Sequence, residues 1–216
     1  MRIVGVDCAT KSERTGISIA DFSEGILTVR ECGTCVKGAS PEKYLYPALR
    51  DDSSALIALD SPLGWSSALG RNLVEHKAGR PISDESNTLF RRLTDRTVRE
   101  KLGKTPLEVG ADRIARTART ALSFIGGLEK LIGREIPLAW DPEFKGGIQA
   151  IEVYPAGTLR AESLSNEHAL DSVLCSVAGA DFLQGLSIHP PPGQENSARK
   201  EGWIWIRDPV RELPRK

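Results

Sequence analysis

The sequence predicts an α/β protein built on a mixed sheet, and three observations carry that prediction. Short apolar runs at residues 3–6, 55–59 and 148–153 each end at an acid or beside one. Two further strand-like segments follow the first run through tight turns. Stretches of helical spacing separate the runs, as the layered packing of helices on a sheet requires.

Ile3, Val4 and Val6, with the small Gly5 among them, suit a central strand buried on both faces. The run ends in Asp7, a charge costly to bury alone. Such an acid is exposed at the sheet rim, paired with a cation, or ligated to a metal. Residues 16–20 return as a second strand and residues 25–31 as a third, in which Leu27 and Val29 alternate with polar neighbours. Residues 21–25 supply the turn, and the three strands form an antiparallel meander. Residues 41–49 read as a short helix, with Ser40 as N-cap and Pro41 in the first helical position. Ala55, Leu56, Ile57, Ala58 and Leu59 then form a second wholly apolar strand, ended by Asp60. Reached through a helix, it is expected to run parallel to the first. Ser61, Pro62, Leu63 and Gly64 break the chain at once, as a functional loop at a sheet's carboxyl edge does.

Residues 65–140 change character and read as a mostly helical insertion, continuous with the core. Leu89, Phe90, Leu93, Val98 and Leu102 recur at helical spacing, and so do Ile114, Ala118, Ala121, Ile125 and Leu128. Asp112 and Arg113 sit near the start of the second, longer helix. Residues 65–120 hold twelve Lys or Arg against seven Asp or Glu, a surplus of 12 − 7 = 5. A phosphate backbone docks on such a surplus, although a solvated helix face is its commoner meaning. Residues 148–154 form a third core strand with Glu152 near its end. A helix over residues 166–181 carries an apolar stripe of Leu170, Leu174 and Val177. Asp171 lies in its first turns, and His168 one turn earlier on the same side. Residues 188–202 read as a loop, Trp203 to Ile206 as a last strand with both tryptophans on one face, and residues 214–216 as a frayed tail.

The chain of 216 residues supports one sizeable core, so a single domain over residues 1–216 is expected. Hydrophobic content of 40% and charged content of 27% fit a soluble globular protein. Lys and Arg balance Asp and Glu at 29 each, so no overall field draws the protein onto a membrane or nucleic acid. No stretch has the length of a membrane span and the first residues do not read as a signal peptide, so a cytoplasmic location is expected. Cys32 and Cys35 have redox or zinc spacing, but neither a second Cys pair nor a His pair accompanies them. Neither zinc nor a structural disulfide is expected.

Asp7, Asp60 and Glu152 each end an apolar strand, and Asp171 opens a helix. Singly, each acid reads equally well as a cap or salt-bridge partner. Together, if the strands are neighbours, the carboxylates converge at one sheet end and stay ionised only around a cation. A few carboxylates completed by water and phosphate are how Mg²⁺ is usually held. Two such ions about 4 Å apart activate water and stabilise the leaving oxygen in phosphodiester cleavage.

Several segments also resemble a known family: Val4-Gly-Val-Asp7, Ala58-Leu-Asp60-Ser-Pro-Leu-Gly64, Phe90-Arg-Arg-Leu-Thr-Asp95, residues 106–113, Ile151-Glu-Val-Tyr-Pro155 and residues 169–175. In their order the chain resembles the ribonuclease H-like superfamily, which includes the Holliday junction resolvases. More closely it resembles the predicted nucleases of ribonuclease H fold called domain of unknown function 429. The resemblance implies a five-stranded mixed sheet, an antiparallel meander plus parallel strands, flanked by helices. It further implies a magnesium- or manganese-dependent nuclease, a hydrolase acting on nucleic acid, with Asp7, Asp60, Glu152 and Asp171 as catalytic metal ligands. Arg92, Asp95, Asp112 and Arg113 match the insertion motifs and are carried over as substrate-binding residues, with Arg92 or Arg113 contacting phosphate or pairing with Asp95. Assembly is open and leaves room for a homodimer. Two rivals stand beside the nuclease. One is a non-catalytic or regulatory module that binds a small phosphorylated ligand in the acidic pocket. The other is an ATP-dependent phosphotransferase, whose phosphate loop the segment from Asp7 to Lys11 resembles.

Overall fold

The protein is described by a computed structural model over residues 1–51, 54–110, 112–144, 146–158 and 167–211. The opening run forms β1 (Arg2–Asp7), followed by β2 (Gly16–Ser23) and β3 (Ile26–Thr34). Helix α1 (Pro41–Leu49) leads to β4 (Ser54–Asp60), and the Ser40 side chain accepts from the Lys43 amide as N-cap. The insertion carries α2 (Ser67–Glu75), α3 (Ser86–Phe90), α4 (Leu93–Leu102) and the long α5 (Asp112–Ile132). Then come β5 (Gly147–Glu152), α6 (Pro155–Thr158), α7 (Glu167–Leu183) and α8 (Glu195–Glu201).

The five strands form one open mixed sheet in the order β3-β2-β1-β4-β5. β1, β2 and β3 are antiparallel neighbours, whereas β4 runs parallel to β1 and β5 parallel to β4. This is the α/β meander-plus-parallel sheet that the alternation of apolar runs and helical stretches predicts. β1 and β4 are apolar along their length because helices cover both faces. On one face Val4, Val6, Ile57 and Leu59 pack with Leu45 and Leu49 of α1 and Phe124 and Leu128 of α5. On the other, Leu56, Ala58 and Ile151 pack with Cys175, Ala178 and Phe182 of α7 and with the segment from Trp203 to Ile206.

Helix α7 sits unusually close to the sheet, and small residues make that approach possible. A Cβ at Gly5 would overlap the Ser172 carbonyl oxygen, and one at Gly16 would overlap the carbonyl of His168. Ser18 Oγ fills the space between, donating to Ser172 O at 2.6 Å and lying 2.8 Å from Ser176 Oγ. Gly5→Ala therefore has no room to relax except by lifting α7. It is expected to cost about 1–3 kcal/mol, the usual range for overpacking, read as a lowered urea midpoint at unchanged m-value. Full stability in this variant would show that the helix is not held by that contact.

Two expectations for the C-terminal third are corrected. Residues 188–202 are not wholly a loop, because residues 195–201 form α8 with Ala198 buried beneath it. The segment from Trp203 to Ile206 is not a strand and makes only an isolated parallel bridge between Ile204 and Glu152. All four of its side chains are buried, rather than alternating between core and solvent. Trp203 donates its ring N–H to the Ile188 carbonyl at 3.0 Å, and Trp205 meets Phe182 edge-on. The frayed tail predicted at 214–216 lies outside the described residues. Among the described residues no helix is long and apolar enough to cross a membrane.

Candidate functional site

Parallel pairing of β1 and β4 puts Asp7 directly beside Asp60 at the carboxyl ends of the two central strands. Antiparallel β2 begins at the same level with Gly16, over which the His168 carbonyl is seated. The first turns of α7 are thereby brought to the same rim, with His168 Nδ1 lying 2.5 Å from Asp7 Oδ2. Asp171, one turn further, is close enough to act electrostatically on Asp60. Asp7 and Asp60 border a cavity of about 240 Å³, whose wall also includes Ser61, Arg92, Glu152 and Tyr154, with Ile114 and Thr117 of α5.

The cavity is hostile to negative charge. Burial pushes the Asp60 carboxyl up to about 8, and the neighbouring charges of Asp7, Asp171 and Glu152 add to the effect. Burial and the same aspartates hold the Cys8 and Cys175 thiols well above their ordinary range, so neither offers a thiolate nucleophile. Ser61 Oγ, in the cavity wall, is buried and meets no hydrogen-bond partner among the described residues. An oxygen so placed, beside crowded carboxylates, suits a hard cation with its water shell. Asp7, Asp60 and Asp171, with Ser61 as a neutral donor, fit Mg²⁺ or Mn²⁺ on those grounds. No compact group of three or more His, Cys, Asp or Glu ligands is present among the described residues. An Mg²⁺ site tolerates that, since one or two carboxylates commonly suffice and water supplies the rest.

Glu152 is at the same sheet end but in a different arrangement. It faces Leu59 in the β4–β5 register, and both its oxygens are taken by one arginine. Arg92 donates from Nη1 to Glu152 Oε2 at 2.8 Å and from Nη2 to Oε1 at 2.7 Å, and the Leu63 amide donates to Oε2 at 2.9 Å. The other edge of the same guanidinium holds Asp95, with Nη2 to Oδ1 at 2.9 Å. Asp95 also accepts from the Arg92 backbone N–H, which closes the first turn of α4. Arg92 is 1% exposed, Asp95 0% and Glu152 3%, so the three form a buried ionic unit. Burial opposes the charge on Arg92, but the Glu152 and Asp95 carboxylates more than offset it and hold the guanidinium above its usual range.

The eight residues singled out in the sequence therefore separate into three groups. Asp7 and Asp60 come together at the cavity, and Asp171 lies near enough to act electrostatically on Asp60. Glu152, Arg92 and Asp95 come together as an ion triad, of which Glu152 and Arg92 also border the cavity, the Arg92–Asp95 pairing being one of the two alternatives anticipated. Asp112 and Arg113 are exposed at the start of α5, where Asp112 lies 3.8 Å from Arg116. Neither borders the cavity, although Ile114 and Thr117 of the same helix do.

Three residues of this region were not among the candidates. His168 had a signal, its spacing one turn before Asp171. Ser61 had a weaker one, its place directly after Asp60. Glu201 had none, because it sits in a stretch read as a loop. Its carboxylate accepts from the Ser67 amide at 2.9 Å and the Leu93 amide at 2.7 Å, so one acid caps the N-termini of both α2 and α4.

A family model described as "Protein of unknown function (DUF429)" matches residues 5–162. No curated protein matches the chain.

Proposed function

The chain belongs to that family of proteins of unknown function, and from this premise and the site we propose a divalent-cation-dependent nuclease of ribonuclease H-like fold. The observation that carries the reading is the pair Asp7 and Asp60, side by side at the ends of two parallel strands, with Asp60 pushed up to about 8. Two carboxylates so placed repel each other, and a bound cation turns that repulsion into affinity. Asp7, Asp60 and Asp171 are the side chains that would hold Mg²⁺ or Mn²⁺. Such an ion, when bound, polarises a phosphoryl oxygen and acidifies a water molecule. His168 orients the Asp7 carboxylate through Nδ1. Arg92 fixes Glu152, which gives the end of β5 a set position next to Asp60. In this reading Glu152, Arg92 and Asp95 are positioning residues.

The test is an assay of purified protein with Mn²⁺ against single-stranded, duplex, branched and hybrid nucleic acids. Asp7→Asn and Asp171→Asn are each expected to lower cleavage by about two to three orders of magnitude, which corresponds to about 3–4 kcal/mol of barrier. Mg²⁺ binding should weaken in parallel, while the far-UV circular dichroism and Tm stay close to wild type. Wild-type cleavage in either variant, or none of the four substrates cut by the wild type, overturns the reading.

One observation favours the non-catalytic alternative. Glu152 borders the cavity, but both its oxygens are committed to Arg92, which leaves one uncommitted acid fewer than the four-carboxylate arrangement that the resemblance implies. A module that binds a small phosphate ester with Mg²⁺ needs no fourth uncommitted acid. It would show thermal stabilisation by such an ester and no cleavage in the same assay.

A further inference from the structure

Two basic clefts lie away from the acidic cavity and share Arg71. One, of about 340 Å³, is bordered by Arg71, His76, Lys77 and Arg80 at the end of α2 and beyond it. The other, of about 370 Å³, is bordered by Arg71, Arg91, Arg96 and Lys200, where α2, α4 and α8 meet. The protein as a whole carries no net charge, so this is a local separation of charge.

The cations of these clefts are largely uncommitted. Among the described residues Arg71, Lys77, Arg80, Arg96 and Lys200 make no ion pair, and only Arg91 does, donating to Glu108 at 2.9 Å. Two acids border the clefts, Glu75 and Glu201, and both Glu201 oxygens are consumed by the Ser67 and Leu93 amides. Ser67, Thr88, Asn196 and Ser197 add polar groups to the second cleft. Neither cleft is bordered by Phe, Tyr or Trp. A surface that stacks bases needs such rings, whereas a surface that follows phosphates needs cations and hydroxyls.

We infer that this face is an anchoring track for the phosphodiester backbone of a nucleic acid, bound without regard to sequence. It is distinct from the acidic cavity and stands independently of the hydrolase reading. Its position relates it to that cavity all the same. Arg91 borders the basic cleft and Arg92, its neighbour in the chain, borders the acidic one, so the two lie on either side of the α3–α4 junction. A strand lying on the track is thus held next to the carboxylates without having to overcome their repulsion by itself.

The test is fluorescence anisotropy with labelled single-stranded and duplex oligonucleotides, in chelator and over a series of salt concentrations. Arg71→Ala/Arg96→Ala/Lys200→Ala removes three exposed cations and leaves the core untouched. The wild type should bind with a steep salt dependence. The triple variant should bind more weakly on every sequence alike, with the slope of log K against log salt reduced by about 3. An unchanged slope, or an acidic peptide of equal charge bound as tightly as the oligonucleotide, overturns the track. Chelator keeps this outcome separate from the nuclease test, and binding without cleavage in the Mn²⁺ assay leaves the track standing while the hydrolase reading falls.

Discussion

Arg92→Ala is expected to destabilise the protein by about 3–5 kcal/mol, a large share of the stability of a domain this size. The reason lies in what remains rather than in what is removed. Glu152 and Asp95 are each almost fully buried, and both lean on the one guanidinium. Without it two carboxylates face each other in the interior, and one must take up a proton or draw in water. Arg92→Lys is expected to be nearly as damaging, because an ammonium cannot serve both carboxylates with a planar fork. Chemical denaturation at neutral pH measures the loss. The triple replacement Arg92→Met/Asp95→Asn/Glu152→Gln should recover a good part of it, since removing all three charges together leaves none uncompensated. If Arg92→Ala alone unfolds at the wild-type midpoint, the triad does not hold the insertion to the sheet.

The second large effect concerns pH. The Asp60 carboxyl is pushed from its ordinary 3.8 to about 8 by burial and by Asp7, Asp171 and Glu152. Between those limits the folded protein keeps a proton that the unfolded chain has released. Folded stability therefore falls as pH rises through that window and is greatest, for this group, below it. In chelator, wild-type stability should drop between about pH 4 and about pH 8 by an amount on the order of a few kcal/mol attributable to Asp60. Asp60→Asn should flatten that part of the profile and be the more stable protein at its alkaline end. Parallel profiles for the two proteins would mean that Asp60 ionises freely in the folded state. Adding Mg²⁺ should stabilise the wild type most at the alkaline end, where the carboxylates are ionised, and do little for Asp60→Asn.

Much of this architecture is readable in the chain because its signals are local. The runs ending at Asp7 and Asp60 are short, apolar and rich in Val, Ile and Leu, which suits a doubly covered strand. Ser40 and Pro41 mark the start of α1 by side-chain chemistry alone. β3 runs past the expected end at residue 31, its pairing continuing through Cys32 and Gly33 to Thr34, where neither Cys nor Gly advertises a strand. α8 is hidden for a physical reason. Its seven residues are polar except Ala198, so it has no apolar stripe to betray a helical period. The segment from Trp203 to Ile206 misleads in the opposite sense, because a run with every side chain buried has no period of any kind.

The candidate site divides along the same line. Asp7 and Asp60 are neighbours because two strands pair, which follows from topology. Asp171 joins them because Gly5 and Gly16 let α7 press onto the sheet, and a helix's distance from a sheet is not written in its own residues. The capture of Glu152 by Arg92 links residues sixty positions apart through an ion pair. No periodicity reports such a partnership, and a buried arginine looks in sequence like any other.

Glu201 lies well past residue 162, where the family match ends, and so do α7 and the buried tryptophans. Yet α7 roofs one side of the sheet, and that single carboxylate fastens two helices that belong to the matched stretch. The recognisable portion of the chain thus takes part of its cover and two of its helix caps from residues beyond it. It is a framework completed by the last quarter of the chain, and a boundary drawn from family similarity alone would cut through the fold's own keystone.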